Sequence, residues 1–157
     1  FLPTIPYFFS KITGREYLQL LCNARGIKEA QFDDKNIFDL PLNQYANTYS
    51  TGMKKKLALT AILLQQNDCF IFDEPFNGVD IQSNMLITEI IRRLKSLNKT
   101  VVIASHIFST LSESCDVIHL LKAGRLVKEV AKKDFRELEK EMRAVTLENR
   151  IDRLELK

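Results

Sequence analysis

Hydrophobic residues change their spacing along the chain near residue 48. Before that point the pattern is helical, with loops. Thr13-Gly14-Arg15-Glu16 fits a capping box, Thr13 taking the first free amides and Glu16 reaching back. Tyr17, Leu18, Leu21 and Ala24 form an apolar stripe, and Gly26 stands where a left-handed residue would end the helix. Residues 36–45, with Pro41 in the middle, read as a short helix followed by a loop. From Tyr49 onward helix and strand patterns alternate. Residues 52–66 predict a helix with Met53, Leu57, Ala61 and Leu64 on one side. Cys69-Phe70-Ile71-Phe72 is a short, continuously apolar run, the pattern of a strand covered on both faces. Asp80 can cap a helix in which Ile81, Met85, Ile87, Ile90, Ile91 and Leu94 keep a 3.6-residue period.

Residues 100–104, 116–121 and 125–130 are further apolar runs, and Lys122-Ala123-Gly124 between the last two is hairpin chemistry. Asp134 caps a charged final segment. There Phe135, Leu138, Met142 and Val145 keep coiled-coil spacing, while Leu147, Ile151 and Leu154 continue out of phase. A solvated, salt-bridged helix is the plain expectation for it. Packing back on the core, pairing with a second copy, or a small accessory domain stay open. Strands alternating with helices predict an α/β fold, with a mainly parallel sheet and helices on both faces.

Composition narrows the function classes. The chain has 157 residues, 45% hydrophobic and 27% charged, which suits one domain and excludes a disordered tail. Its longest apolar stretch, residues 57–64, is interrupted by Thr60 and falls far short of the roughly 20 residues that span a bilayer. A net charge of +3 is too small a bias to argue for nucleic acid. Cys22, Cys69 and Cys115, an odd count without a CxxC pair, point to a reducing compartment. The opening Phe-Leu-Pro-Thr has no basic leader, so no signal peptide is expected, and no initiator methionine either. The chain is expected to begin partway through a longer polypeptide.

The strongest chemical signal is the apolar run ending in Asp73-Glu74-Pro75. A buried parallel strand delivers its next residues to the carboxyl edge of the sheet, where ligands bind in such folds. Two adjacent acids there need a cationic partner, and Mg²⁺ with a nucleotide phosphate supplies one. Ser105-His106 comes directly after the next strand and reaches the same edge, where a histidine can hydrogen-bond a γ-phosphate; standing alone, it reads better as a capping or core residue. His119, inside a strand, has no such reading. Ser50 is a natural N-cap for the helix after it, and Gly52 would let backbone amides approach an anion at the helix N-terminus. By itself this is an ordinary helix start, and Lys54, Lys55 and Lys56 read as a solvated face.

In order, these pieces resemble the ATP-binding cassette (ABC) ATPases. Ser50-Thr51-Gly52-Met53 stands for the signature loop, and about 20 residues on the run Cys69 to Asp73 stands for the Walker B strand. Gly78-Val79-Asp80 matches the D-loop, His106 the switch histidine, and Phe1-Leu2-Pro3-Thr4 the Q-loop. The resemblance implies a P-loop NTPase (RecA-like) core, an ABC helical subdomain and a C-terminal helical tail. The expected boundaries are 1–48 for the Q-loop and helical subdomain, 49–133 for the C-terminal part of the core, and 134–157 for the tail. It further implies that Asp73 binds Mg²⁺ through water and that Glu74 is the general base. His106 would contact the γ-phosphate. Ser50, Thr51, Gly52 and Met53 would face ATP held by a second cassette, and Asp80 would join the two cassettes. A membrane permease is the implied partner, on the cytoplasmic face of the cell membrane, with no nucleic acid expected. The Ser-Thr-Gly-Met style leans toward exporter-type cassettes.

The sequence departs from the family pattern in three places. Tyr49, Thr51 and Met53 replace the Leu, first Gly and Gln of the usual signature, a form that resembles a common transporter subgroup. Thr4 stands where Gln or Glu is usual, which weakens it as a metal-site residue. No Gly-x-x-x-x-Gly-Lys-Ser/Thr occurs, so the amide cradle and lysine for the β- and γ-phosphates are missing. The chain is therefore expected to be the C-terminal part of a cassette and, alone, to bind and hydrolyse ATP poorly. The other classes weighed are a soluble ABC protein acting on ribosomes or DNA, and a degenerate half-cassette with an interaction role. The roughly 45 residues between Thr4 and Ser50 leave no room for a long inserted coiled coil.

Overall fold

The computed structural model describes residues 1–28 and 31–147, the last three by backbone alone. It divides into two compact units, Phe1–His106 and Ile107–Lys157.

In the first unit, helix α1 spans Gly14–Asn23 and carries the expected capping box. The Thr13 hydroxyl accepts from the Glu16 amide, and the Glu16 carboxylate accepts from the Thr13 amide at 2.8 Å. Leu18 and Cys22, one turn apart, are fully buried. The helix ends before Ala24, and Gly26 closes the next turn with a φ of 69°.

The helix expected within residues 36–45 does not form. Asn36 Nδ2 donates to the Leu40 carbonyl at 2.8 Å, and the Leu40 amide donates back to Asn36 Oδ1 at 3.0 Å. An asparagine side chain here offers the backbone an alternative to helical bonds, and Pro41 disfavours helical geometry at Leu40. The segment is a run of turns that buries Phe38, Leu40 and Leu42, ending in a single 3₁₀ turn, Ala46–Thr48.

Helix α2, Thr51–Leu64, starts at its Ser50 cap. It is more deeply set than one apolar stripe implies: Lys55 and every residue from Leu57 to Ile62 are buried. A helix covered all round is central to its core rather than lying on it. Strands β1 (Cys69–Asp73) and β2 (Thr100–Ala104) pair in parallel, with Asp73 opposite Ala104. Leu2 adds a bridge on the other edge of β1. Its amide donates to the Ile71 carbonyl at 2.8 Å, and its carbonyl accepts from the Asp73 amide at 2.9 Å.

Phe70 and Phe72 are buried, whereas Ile71 is 44% and Val102 51% exposed. Among the described residues the apolar run is thus covered on one face, not both. Helix α3, Ile81–Ser96, is capped by Asp80 and buries Ser83, Ile87, Ile91 and Leu94. Ile81 and Met85, expected on the same stripe, are 80% and 68% exposed. They stand six and two residues before Ile87, spacings that turn a helical side chain away from its face.

In the second unit, α4 (Phe108–Ser114) precedes an antiparallel hairpin of β3 (Val117–Lys122) and β4 (Arg125–Ala131). Ala123 and Gly124, with φ of 50° and 75°, form the two-residue connection whose twist matches paired strands. The late apolar runs therefore pair with each other as a separate two-stranded sheet. Helix α5, Phe135–Leu147, is solvated and ion-paired on one side, with Arg143 on Glu139, but not all round: Phe135 and Leu138 are buried against Ile118 and Val130. The Phe108 ring meets the Phe135 ring edge-on at 6.5 Å. On the outer side, Lys128 pairs with Glu141 at 2.6 Å. The side chains of Val145, Leu147, Ile151 and Leu154 lie outside the described residues. No helix among those described is long and apolar enough to cross a membrane.

Candidate functional site

Parallel pairing sets the site. β1 and β2 end side by side at Asp73 and Ala104, so the residues after them, Glu74 and Ser105-His106, emerge at one edge of the sheet. The Glu74 amide extends the ladder by one bond, donating to the Ala104 carbonyl at 2.8 Å. The chain then leaves the sheet with Glu74 at a φ of 47°, a left-handed conformation rare for a residue with a side chain.

That turn places the Glu74 carboxylate, 17% exposed, against the end of β2. Ser105 Oγ donates to Oε2 at 3.0 Å, and the His106 amide donates to Oε1 at 2.9 Å. His106 Nδ1 lies 2.6 Å from the same Oε1, while most of its ring faces solvent. Burial pushes the carboxyl pKa up, but the bonds from the His106 ring, Ser105 and the His106 amide outweigh it and hold it below the ordinary value. The group is thus a deprotonated, firmly oriented anion with three directed partners.

Asp73 faces the opposite neighbour, with Thr4 Oγ1 donating to its Oδ2. Thr4 reaches it because Leu2 is hydrogen-bonded beside β1. Carboxylate and hydroxyl are hard oxygen donors of the kind Mg²⁺ takes. Among the described residues no three His, Cys, Asp or Glu side chains converge as a metal cage.

The Ser50–Met53 turn lies against the far end of the same loop. Ser50 Oγ accepts from the Met53 amide at 3.2 Å, the N-cap bond expected of it. Ser50 and Thr51 are exposed, and Gly52 and Met53 half-buried. A Cβ on Gly52 would sit 2.6 Å from the Gly78 carbonyl oxygen, so a bare backbone is needed here for packing as well as for any ligand. Behind the turn, Tyr49 Oη donates to the Pro41 carbonyl at 2.7 Å.

Asp80 accepts from the Ser83 amide and hydroxyl and from Lys56 Nζ at 3.1 Å. The Ser83 bonds first, and Lys56 after them, hold its carboxyl well below the carboxylate range. His119 is separate: it sits on β3 with Nδ1 3.6 Å from Glu129 of the paired strand.

The structure brings Thr4, Asp73, Glu74 and His106 to one sheet edge, and Ser50–Met53 and Asp80 to the loop after β1. One residue was hidden in the sequence. Lys55, which with its neighbours looks like part of a solvated face, is 1% exposed, and its Nζ donates to the carbonyls of Glu74 at 2.6 Å and Asn77 at 3.0 Å. The available signal was its spacing, four and seven residues before the apolar Leu59 and Ile62, on the inner face of the helix.

Comparison with known proteins bears on the family and the fold. Residues 5–112 match the family model described as "AAA domain, putative AbiEii toxin, Type IV TA system". The chain is 33% identical over 146 residues to the bacitracin transport ATP-binding protein BcrA of Enterococcus faecalis, covering 90% of this chain and 46% of that protein. It is 28% identical over 127 residues to the ABC transporter ATP-binding protein NatA of Bacillus subtilis, covering 76% of this chain and 51% of that one. A solved ATP-binding subunit of an ABC transporter superposes with a TM-score of 0.77 at 25% identity, over 88% of this chain and 61% of that chain. The chain spans about half the length of these two curated relatives.

Proposed function

The chain belongs to the ATP-binding proteins of ABC transporters, an AAA-type P-loop NTPase family, and on that footing we propose that it supplies the hydrolytic edge and signature turn of an ABC ATPase. The observation that carries this reading is the Glu74 carboxylate, ionised and held by Ser105 and His106 beside Asp73. Mg²⁺ bound with ATP would neutralise phosphate charge and make the terminal phosphorus open to attack. Asp73 and Thr4 are the groups that would hold that ion through water. Glu74 would orient a water and take its proton. His106, with most of its ring in solvent, would turn toward the terminal phosphate.

Ser50 and Gly52 would meet nucleotide carried by a second cassette, identical or not, with Asp80 at the junction. The phosphate cradle would come from polypeptide outside the 157 residues, since no Gly-x-x-x-x-Gly-Lys-Ser/Thr occurs in them. Organisation into 1–48, 49–133 and 134–157 belongs to the same proposal. Coupling to a membrane permease, of exporter type and on the inner face of the cell membrane, belongs to the same proposal; the relatives' names speak of transport alone. Exposed Ile5, Tyr7 and Phe9, directly after the Q-loop match, support a docking role there.

The test is Mg-ATP hydrolysis by this chain joined to a segment bearing that loop, beside the chain alone. Hydrolysis by the joined form and little by the chain alone is expected. A joined form that binds ATP yet never hydrolyses it would overturn the proposal.

A further inference from the structure

Lys55 is a charged group buried in the most apolar helix of its unit, a placement that is costly unless something specific compensates it. Its compensation is two main-chain carbonyls, those of Glu74 and Asn77, at the two ends of the turn 74–77. The Asn77 amide closes the same turn on the Glu74 carbonyl at 3.2 Å. Glu74 is the non-glycine residue of this loop held at a positive φ, the conformation in which its carboxylate faces Ser105 and His106. Two other contacts from the first turns of α2 reach the same stretch: Gly52 against the Gly78 carbonyl, and Lys56 on Asp80.

We propose that Lys55 is a positioning residue for Glu74: by gripping the Glu74 and Asn77 carbonyls it fixes the left-handed peptide that aims the carboxylate at the end of β2. The proposal rests on the ATPase reading for its importance to catalysis, but not for the geometry. It gives α2 a second role. The helix whose N-terminal turn would meet one nucleotide also holds the carboxylate that acts on the other. Burial pushes the Lys55 pKa below its ordinary value, and the neighbouring carboxylates of Glu74 and Asp73 offset part of that.

The experiment is amide hydrogen exchange by NMR, at fixed pH, on the 157-residue chain and its Lys55→Met and Lys55→Gln variants. Methionine matches the length and removes the donor; glutamine keeps a donor on a shorter arm. In Lys55→Met, exchange at the Asn77 and His106 amides should speed by about tenfold or more, while α1 amides stay within about twofold of the wild type. Lys55→Gln should recover part of that protection. Where Lys55→Met does not fold, Lys55→Gln decides alone: selective acceleration at Asn77 and His106 supports the proposal.

Wild-type rates at those two amides, or equal acceleration everywhere as from lost packing, overturns it. No nucleotide enters this readout. A silent Lys55→Met therefore overturns the positioning role and leaves the ATPase reading intact. A responsive one in a cassette that never hydrolyses ATP supports the positioning role and overturns the ATPase reading alone.

Discussion

The side chain that Gly52 lacks would meet the carbonyl oxygen of Gly78 at 2.6 Å, so helix α2 touches the loop after β1 backbone to backbone. Gly52→Ala therefore sets two effects against each other. Alanine in a helix is favoured by about 1 kcal/mol over glycine. The overlap is with a main-chain atom that cannot swing aside, and such overpacking costs about 1–3 kcal/mol. The clash should win. Gly52→Ala is expected to lower the urea midpoint with an unchanged slope, and an unchanged or higher midpoint would refute the close approach.

Tyr49 ties the signature turn to the segment before it. Tyr49→Phe removes the donor to the Pro41 carbonyl without changing the ring. The expected loss is about 1 kcal/mol of stability, read by denaturant unfolding. Because the ring stays buried, the variant should keep its fold and its far-UV circular dichroism.

Acid should separate the wild type from Glu74→Gln. The folded-state pKa of Glu74 lies below its ordinary value, so the unfolded chain takes up the proton first as pH falls. The stabilising contribution is therefore fully present above about pH 4.3, the unfolded value, and is lost as pH falls through the folded pKa. Glutamine cannot ionise and has no such dependence. The stability gap between the two proteins, measured by urea unfolding, should be widest near neutrality and narrow toward acid. A gap that widens toward acid would contradict the three-partner carboxylate.

The second unit has its own test. Phe135 packs with Leu138, Ile118 and Val130, and Phe135→Ala should cost about 3–5 kcal/mol there. Amide exchange in β3 and β4 should accelerate accordingly, while α1 and β1 in the first unit keep their rates.

The local chemistry was well marked in the residues themselves. The Thr13 box, the Ser50 and Asp80 caps and the Ala123-Gly124 turn form as their short-range signals require, because each is decided within a few residues. The convergence of Glu74 with Ser105 and His106 was legible too, since two parallel strands must end at one edge. Features decided by distant partners were hidden. Lys55 sits among three lysines that look solvated, and its burial comes from α2 being covered on every side. Ile81 and Met85 read as part of the α3 stripe, yet they stand six and two residues before Ile87 and stay exposed, whereas Ile87, Ile91 and Leu94 are buried and Ile90 packs against the same core. Residues 36–45 gave a helical count that the side chain of Asn36, with Pro41 behind it, overrides. Phe135 and Leu138 were visible as a stripe, but not the hairpin that receives them.

The most direct measurement is Mg-ATP hydrolysis by the complete cassette carrying Glu74→Gln, with nucleotide binding monitored in parallel. Removing a positioned general base typically costs about 10²–10⁴-fold in rate, so hydrolysis should fall by that much while ATP binding persists. Glu74→Gln that hydrolyses ATP at the wild-type rate would contradict the role assigned to the carboxylate that Ser105 and His106 hold.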